Sequence, residues 1–197
     1  MKSEISKLFE QKGGNLSLSD AKKERISAST LDRYVATQEL IKEAPGFYVL
    51  PESMIDELYL AQSVYKRGIF SHDTALDLYQ LSTNLPNGIH MTFPKGYNPN
   101  TQNVRKYDIY PHYTSKLYYP LGICKVSTFY GNEVLAYDKE RTLCDMWNSW
   151  YKANSEVREQ ALRDYMASAE RDTVKLRKYM NLLPVSKEMK MFLKALY

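Results

Sequence analysis

The chain has 197 residues, of which 44% are hydrophobic and 25% are charged, and its formal net charge is +4. This composition is ordinary for a globular protein of one or two domains. Two cysteines, Cys124 and Cys144, exclude a disulfide framework. No apolar run approaches the roughly 18 residues of a membrane span and no secretory signal is recognisable, so we expect a cytoplasmic protein without a membrane partner.

Residues 1–11 are predicted to form a helix, since Ile5, Leu8 and Phe9 share one face. Two further helices joined by a tight turn are predicted after Gly13-Gly14. The first spans about residues 19–24, with Ser17 or Ser19 as its N-cap, and the second begins near Ser29. We expect residues 25–27 to form the turn, with the Ile26 side chain buried.

The second of these helices has two unlike faces. By the 3.6-residue period, Leu31 and Val35 lie with Ala28 on an apolar face, while Thr30, Arg33 and Thr37 lie opposite. Residues 40–50 then predict strand, turn and strand, with Gly46 supplying the freedom for the turn. A hairpin directly after such a helix is typical of a winged helix-turn-helix. Pro51 suggests a border between a domain of residues 1–51 and one of residues 52–197.

The polar face of this helix suits the edge of a DNA duplex, because arginine can contact guanine or phosphate with two hydrogen bonds and hydroxyls can donate to phosphate. The predicted DNA-binding residues are Lys22, Lys23, Ser27, Ser29, Thr30, Arg33, Tyr34, Thr37 and, on the wing, Lys42. The alternative is a small helical domain that packs against something other than DNA.

From residue 53 to about residue 150, predicted helices and strands alternate, and only helices follow. Helices are predicted over residues 53–66, from Ser71, over 138–150 (with Trp147 and Trp150 facing inward), and over 157–169, 173–183 and 186–196. Strands are predicted over residues 89–93, 104–110, 117–121, 124–129 and 133–136. The predicted fold class is therefore mixed α/β, in which a winged helix-turn-helix precedes a larger α/β domain with a helical C-terminal tail.

Few residues of this larger domain suggest chemistry. His72, His90 and His112 do not cluster in sequence, so no metal site is expected, and His72 is expected at a helix start. Cys144 is expected in the core. Glu133 and Asp138 could belong to a metal-dependent nuclease, but acids are also favoured where a helix begins. The basic C-terminal helices fit either a solvated face or a second surface for the DNA backbone.

Three segments together resemble a known family. They are residues 68–76 (GIFSHDTAL), the Leu85-Pro86 turn before the strand of residues 89–93, and residues 138–145 (DKERTLCD). They look like the S-x-x-T-A-L and E-R-T-Φ-x-D signatures (Φ apolar) of AbiEi-type antitoxins of bacterial abortive-infection systems. With the N-terminal motif, the resemblance covers nearly the whole chain. One departure is Arg25, where many helix-turn-helix units have glycine.

The resemblance implies an antitoxin of a type IV toxin–antitoxin system that confers phage resistance. Its N-terminal domain would bind inverted repeats of double-stranded operator DNA and repress its own operon. Its C-terminal domain would counteract a cognate nucleotidyltransferase-like toxin, without need of direct contact. We expect no enzyme activity, no catalytic residue and no cofactor, and we expect Arg141 to pair with a carboxylate across the domain.

Two other functions fit the sequence. One is a nucleic-acid-processing enzyme whose winged-helix domain docks the substrate. The other is a module that binds the toxin directly. Neither is excluded by composition or spacing.

Overall fold

The computed structural model describes residues 1–195, and its helices and strands form a mixed α/β fold, as predicted. Contacts group the chain into two compact units. The first comprises Met1–Arg67 with Val126–Val134, and the second comprises Gly68–Lys125 with the chain from Leu135 onward. Within the described residues, no helix combines the length and the apolar character needed to cross a bilayer.

The first unit contains four helices and three strands among residues 1–67. They are α1 (Ser3–Gln11), β1 (Asn15–Ser17), α2 (Leu18–Lys23), α3 (Ala28–Ala36), β2 (Ile41–Ala44), β3 (Phe47–Val49) and α4 (Glu57–Val64). The strands form an antiparallel sheet in the order β1-β3-β2. The predicted two helices and hairpin are therefore present, and β1, which was not predicted, adds a third strand.

Local signals set the helix boundaries of this segment. Ser17 caps α2 by accepting a hydrogen bond from Asp20 N, and Ser27 caps α3 by accepting one from Thr30 N. The second helix thus begins at Ala28, one residue before the predicted start. Arg25 makes the turn with φ of 58°, a left-handed conformation that glycine adopts more readily. The hairpin turn has Gly46 at φ of 77°, as its position in the sequence predicted.

A buried carboxylate extends the first unit beyond residue 51. Asp56 caps α4 through Tyr59 N, so this helix begins at Glu57 and not near residue 53. Its Oδ2 atom accepts hydrogen bonds from Thr128 Oγ1 at 2.6 Å and Asn132 Nδ2 at 2.8 Å. Asn15 Oδ1 accepts from Asp56 N at 3.0 Å. These contacts group residues 52–67 and 126–134 with the helices and strands of residues 1–51. A functional division at residue 51 stays a prediction.

The second unit holds a five-stranded sheet and six helices among its described residues. They are β4 (Ile69–Phe70), α5 (His72–Leu78), β5 (Ile89–Pro94), α6 (Thr101–Lys106), β6 (Ile109–Thr114), β7 (Ile123–Ser127), β8 (Glu133–Tyr137), α7 (Lys139–Met146), α8 (Ser155–Ala167), α9 (Thr173–Leu182) and α10 (Lys187–Ala195). The sheet order is β6-β5-β4-β8-β7, in which β5 runs antiparallel to β4 and parallel to β6. The chain passes between the two units within β7 and β8.

Three predictions for this unit are wrong. Residues 101–106 are helical, because Asn100 caps α6 through Gln102 N and Asn103 N, and the strand predicted over residues 104–110 begins only at Ile109. Residues 117–121 are turns and not a strand. Helix α7 ends at Met146, and Trp150 is 88% exposed although it was predicted to face inward. Leu196, in the predicted last helix, lies outside the described residues.

Helix α7 is the most deeply buried helix of the second unit. Every residue from Glu140 to Met146 is buried. Leu143, Cys144 and Met146 pack with side chains from α5, α8, α9 and α10 in one apolar cluster. Cys144 is therefore a core residue, as predicted, and burial raises the pKa of its thiol well above the ordinary value.

Replacing Asp56 by alanine is expected to lower the free energy of unfolding by about 2–4 kcal/mol. The reason is that Thr128 and Asn132 would be left buried without their acceptor, and α4 would lose its cap. Urea denaturation measures the change. Exposed Glu52→Ala is the control and should stay within about 0.5 kcal/mol of the parent. A loss below about 1 kcal/mol for Asp56→Ala would contradict this role.

Candidate functional site

Two regions of the structure carry polar side chains in a functional arrangement. One is the outer face of α3 in the first unit. The other is a cavity in the second unit that contains the histidines.

Three hydroxyl groups gather at the N-terminal end of α3. Ser27 Oγ lies 2.8 Å from Ser29 Oγ and 2.9 Å from Thr30 Oγ1, while it also caps the helix. Ser27 and Ser29 are exposed, and Thr30 is half-buried. This arrangement leaves hydroxyl donors beside the positive end of the helix dipole, which is a favourable place for an anionic oxygen.

Further along α3, the polar side chains of Arg33 and Thr37 and the apolar side chain of Leu31 lie on different faces of the helix, as predicted. Leu31 is completely buried in the core of the first unit, whereas Arg33 and Thr37 are exposed. The Arg33 guanidinium lies 5.7 Å from the centre of the Tyr34 ring. Thr37 Oγ1 donates to Glu39 Oε1 at 2.8 Å. The guanidinium is thus presented to solvent above an aromatic ring.

The structure places Tyr34 differently from the other predicted DNA-binding residues. Only 8% of Tyr34 is exposed, and its hydroxyl accepts a hydrogen bond from Lys2 N at 3.1 Å. It packs in the core cluster with Ile5, Phe9 and Leu31. Its side chain therefore holds α3 against α1, a role that the helical period alone did not predict.

The three predicted lysines are exposed on α2 and on the hairpin. Lys23 pairs with Asp20 at 2.5 Å, and Lys22 lies beside it on α2. Lys42 of β2 pairs with Asp32 of α3 at 2.7 Å, and Tyr48 of β3 donates to the same Asp32 oxygen at 3.0 Å. Hydrogen bonds from Lys42 and then Tyr48 lower the pKa of Asp32. Asp32 thus links the hairpin to α3.

The second region brings together histidines that are far apart in sequence. His72 begins α5, His90 lies on β5 and His112 lies on β6. The parallel pairing sets His90 opposite Tyr110 and His112 opposite Thr92, so His90 and His112 are diagonal neighbours on the same face of the sheet. The His72 and His112 rings stack with their centres 3.8 Å apart. His90 Nδ1 lies 3.0 Å from His112 Nε2, so one of these nitrogens donates to the other. No motif in the sequence indicated this cluster.

The surroundings keep these imidazoles neutral. Burial lowers the pKa of His72 well below its usual value, and the neighbouring His112 and His90 lower it further. Burial and then the charge of His90 lower the pKa of His112 to about 4. Burial also lowers the pKa of His90, although the carboxylates of Asp73 and Asp108 oppose this shift. At neutral pH each ring therefore offers one donor and one acceptor.

A cavity of about 340 Å³ opens beside this cluster. We call it the histidine cavity. It is lined by His72 and His112, by Arg141 and Asp145 of α7, and by two exposed aromatic residues, Trp150 and Tyr113. Residues 68–76 and residues 138–145 both contribute to the lining. His72 comes from the first segment, and Arg141 and Asp145 come from the second.

Arg141 pairs within its own helix and not across the domain, which corrects the sequence prediction. Its Nε atom donates to both oxygens of Asp145, at 2.9 and 3.0 Å, and its Nη1 atom donates to Tyr118 O at 2.7 Å. The guanidinium also lies 4.3 Å from the centre of the Tyr137 ring. The carboxylate partner lies one helical turn away on the same helix. The remaining hydrogen bonds of the guanidinium go to the backbone carbonyls of Tyr118 and Leu121, before α7.

Other candidate catalytic groups have structural partners. Asp138 caps α7 through Arg141 N and pairs with Lys175 at 3.0 Å. The Cys124 sulfur lies 3.1 Å from the Tyr79 hydroxyl. Over residues 1–195, no three His, Cys, Asp or Glu side chains are arranged so that they could hold a metal ion.

Comparison with protein-family models finds no match to this chain, and a search of curated proteins also finds none.

Lowering the pH from about 7.5 to about 6 is expected to reduce the free energy of unfolding by about 1–2 kcal/mol. The three histidines have lowered pKa values in the folded state, so the unfolded chain takes up protons first as the pH falls through 6.5. Burial raises the pKa of Asp145 to about 6, which offsets part of this loss at the acid end.

Urea denaturation at the two pH values measures this dependence. His112→Gln should show a shallower dependence than the parent, because it removes one of the three titrating groups. A parent stability that is constant or rises as the pH falls would show that the histidines are not held neutral by the fold.

Proposed function

We propose that the first unit is a winged helix-turn-helix that binds double-stranded operator DNA, and that the chain is an autorepressing antitoxin. The observation that carries the DNA-binding part is the position of α3. Its apolar side is buried through Leu31, while Ser29 and Arg33 remain exposed beside a hairpin. A helix with one side anchored and the other free is what a major groove admits.

In this proposal the two ends of α3 have different tasks. The hydroxyls of Ser27, Ser29 and Thr30 donate to backbone phosphates and fix the register on the duplex. Arg33 lies about one turn further toward the C-terminus. In this proposal it donates to the O6 and N7 atoms of guanine, the commonest specific contact of this side chain. Thr37 lies close to the same exposed end.

The hairpin of β2 and β3 serves as the wing. Lys42 is exposed at its outer strand and is paired with Asp32, which is also exposed. An exposed ion pair of this kind contributes little to stability, so a phosphate can replace Asp32 as the partner of Lys42 at small cost. Lys22 and Lys23 of α2 supply further phosphate contacts that do not depend on sequence.

The antitoxin part of the proposal rests on the family resemblance of residues 68–76 and 138–145. It implies repression through inverted repeats in the promoter, which two copies of the chain would occupy. It also implies that the second unit counteracts a nucleotidyltransferase-like toxin without direct contact and without catalysis of its own. We accordingly expect an abortive-infection function in phage resistance and a cytoplasmic location.

Arg33→Ala is expected to weaken binding to the operator by about 1–3 kcal/mol, or about 5- to 150-fold in Kd. The reason is the loss of a base-reading contact, so binding to unrelated duplex should change much less. A gel-shift titration with the inverted repeats upstream of the gene measures both. The control is Arg105→Ala, which removes the same exposed side chain from α6 of the second unit. An Arg33→Ala protein that binds the operator as the parent does would overturn the assignment.

Lys23→Ala is expected to weaken binding to all duplex sequences alike, because its contact is with phosphate. It should also reduce the slope of log K against log salt concentration by about 1. Titrations at several salt concentrations, on operator and on unrelated DNA, measure this slope. A Lys23→Ala defect confined to the operator would contradict a phosphate contact.

The antitoxin function has its own test. The proposal expects a neighbouring gene that encodes a nucleotidyltransferase-like toxin. Expression of that toxin should arrest growth, and co-expression of this chain should restore it, including when Arg33 is replaced. Toxicity that this chain does not relieve would reject the antitoxin role and leave the DNA-binding proposal standing.

A further inference from the structure

We propose that the histidine cavity binds a planar heterocyclic base, of the kind carried by nucleosides and by unpaired nucleotides in single-stranded nucleic acid. The site lies wholly among residues of the second unit. It is therefore separate from the duplex-binding face of α3 and does not rest on the function proposed above.

The first support is the size and construction of the cavity. Its volume of about 340 Å³ falls within the range of about 300–1,000 Å³ that is usual for small-molecule sites. His72, at one wall, has a φ of 51°, a left-handed conformation that is uncommon for residues other than glycine. Such strained residues are concentrated at ligand sites and switches.

The second support is aromatic surface at the mouth. Trp150 is 88% exposed and Tyr113 is 51% exposed, and both line this cavity. Asn148 Oδ1 accepts a hydrogen bond from Trp150 N at 3.0 Å, which fixes the backbone beside the opening. Exposed aromatic rings next to a polar cavity are well suited to stack on a base, because every base presents a π-face.

The third support is the net charge of the residues that line the cavity, because it determines whether a charged or an uncharged ligand is favoured. Arg141 is the cation of the lining, and its Nε atom is already paired with both oxygens of Asp145. The histidines are neutral at pH 7, and burial raises the pKa of the Tyr151 phenol, which donates to Asp73. The walls thus carry no surplus positive charge, so a phosphate group gains little here.

Neutral polar groups suit the edge of a base instead. One ring nitrogen of each histidine is already hydrogen-bonded, His72 Nδ1 with Ser71 Oγ at 2.9 Å and His112 Nε2 with His90 Nδ1, so each ring can present its second nitrogen to a ligand. The Thr92 hydroxyl, which donates to Ser71 Oγ at 2.8 Å, can accept, and the Asn148 amide can donate through its nitrogen. A nucleobase carries alternating donors and acceptors on its edge. The exposed aromatic rings at the mouth can therefore stack on an uncharged ring, and the polar groups of the lining can form hydrogen bonds with its edge.

Isothermal titration calorimetry of the full chain at pH 7.5 tests the proposal. The probes are the common nucleosides, their 5′-monophosphates, inorganic phosphate, and short single-stranded DNA and RNA. At least one nucleoside or single strand should bind, the monophosphate should bind no more than about threefold more tightly than its nucleoside, and inorganic phosphate should not bind. Tighter binding of a strand than of its nucleoside would identify nucleic acid as the source of the base.

Two exposed aromatic residues provide matched variants. Trp150→Ala should weaken binding at least about fivefold, because it removes a stacking surface. Phe129→Ala removes an equally exposed ring that does not line the cavity and should leave affinity within about twofold. His112→Phe should also weaken binding, since it keeps a ring against His72 but removes both nitrogens. If His112→Phe does not fold, the exposed Trp150→Ala variant decides.

Three results would overturn the proposal. They are the absence of any nucleoside or single-strand binding at millimolar concentration, binding that Trp150→Ala does not weaken, and a monophosphate that binds far more tightly than its nucleoside.

Operator binding by the Trp150→Ala protein should equal that of the parent, and nucleoside binding should survive Arg33→Ala. Failure of one proposal is thereby distinguishable from failure of the other.

Discussion

The first unit depends on how α3 is fixed. Leu31 anchors it in the core, the Tyr34 hydroxyl accepts from Lys2 N at the start of α1, and Asp32 accepts from the Tyr48 hydroxyl of the hairpin. These contacts leave the helix little freedom to rotate about its axis. The direction in which Arg33 points is therefore set by packing and hydrogen bonds and not by Arg33 itself, which is the preorganisation that groove recognition requires.

The second unit is organised around a helix that carries charges into the interior. Within α7, Glu140 accepts from Tyr165 and pairs with Lys175, while Arg141 pairs with Asp145. Burying such charges is unfavourable unless they are fully paired, and breaking one pair by removal of a partner is strongly destabilising. Because Arg141 is paired with Asp145, the lining of the histidine cavity is polar but carries no excess charge. The same ion pair therefore stabilises α7 in the interior and favours an uncharged ligand in the cavity.

Much of this structure could be predicted from local patterns. The cap at Ser17, the helical period through Leu31 and the glycine at position 46 predict the two helices and the hairpin. The cap of α3 is Ser27, which was predicted to belong to the turn. Strand β1 was missed because its three residues show no alternation and pair with the distant β3. Helix α6 was mistaken for a strand although Asn100 is a cap. Neither the burial of Tyr34 nor the histidine cluster could be predicted, because each depends on contacts between residues far apart in sequence.

We propose that α3 and the hairpin contact DNA. An NMR titration of the labelled chain with its own promoter repeats tests it most directly, since each backbone amide reports its surroundings separately. We predict that the largest shifts occur at Ser27, Ser29, Thr30, Arg33 and Lys42, with small changes at buried Leu16 and Ala21. Shifts confined to residues 68–125, or none at saturating DNA, would contradict the claim.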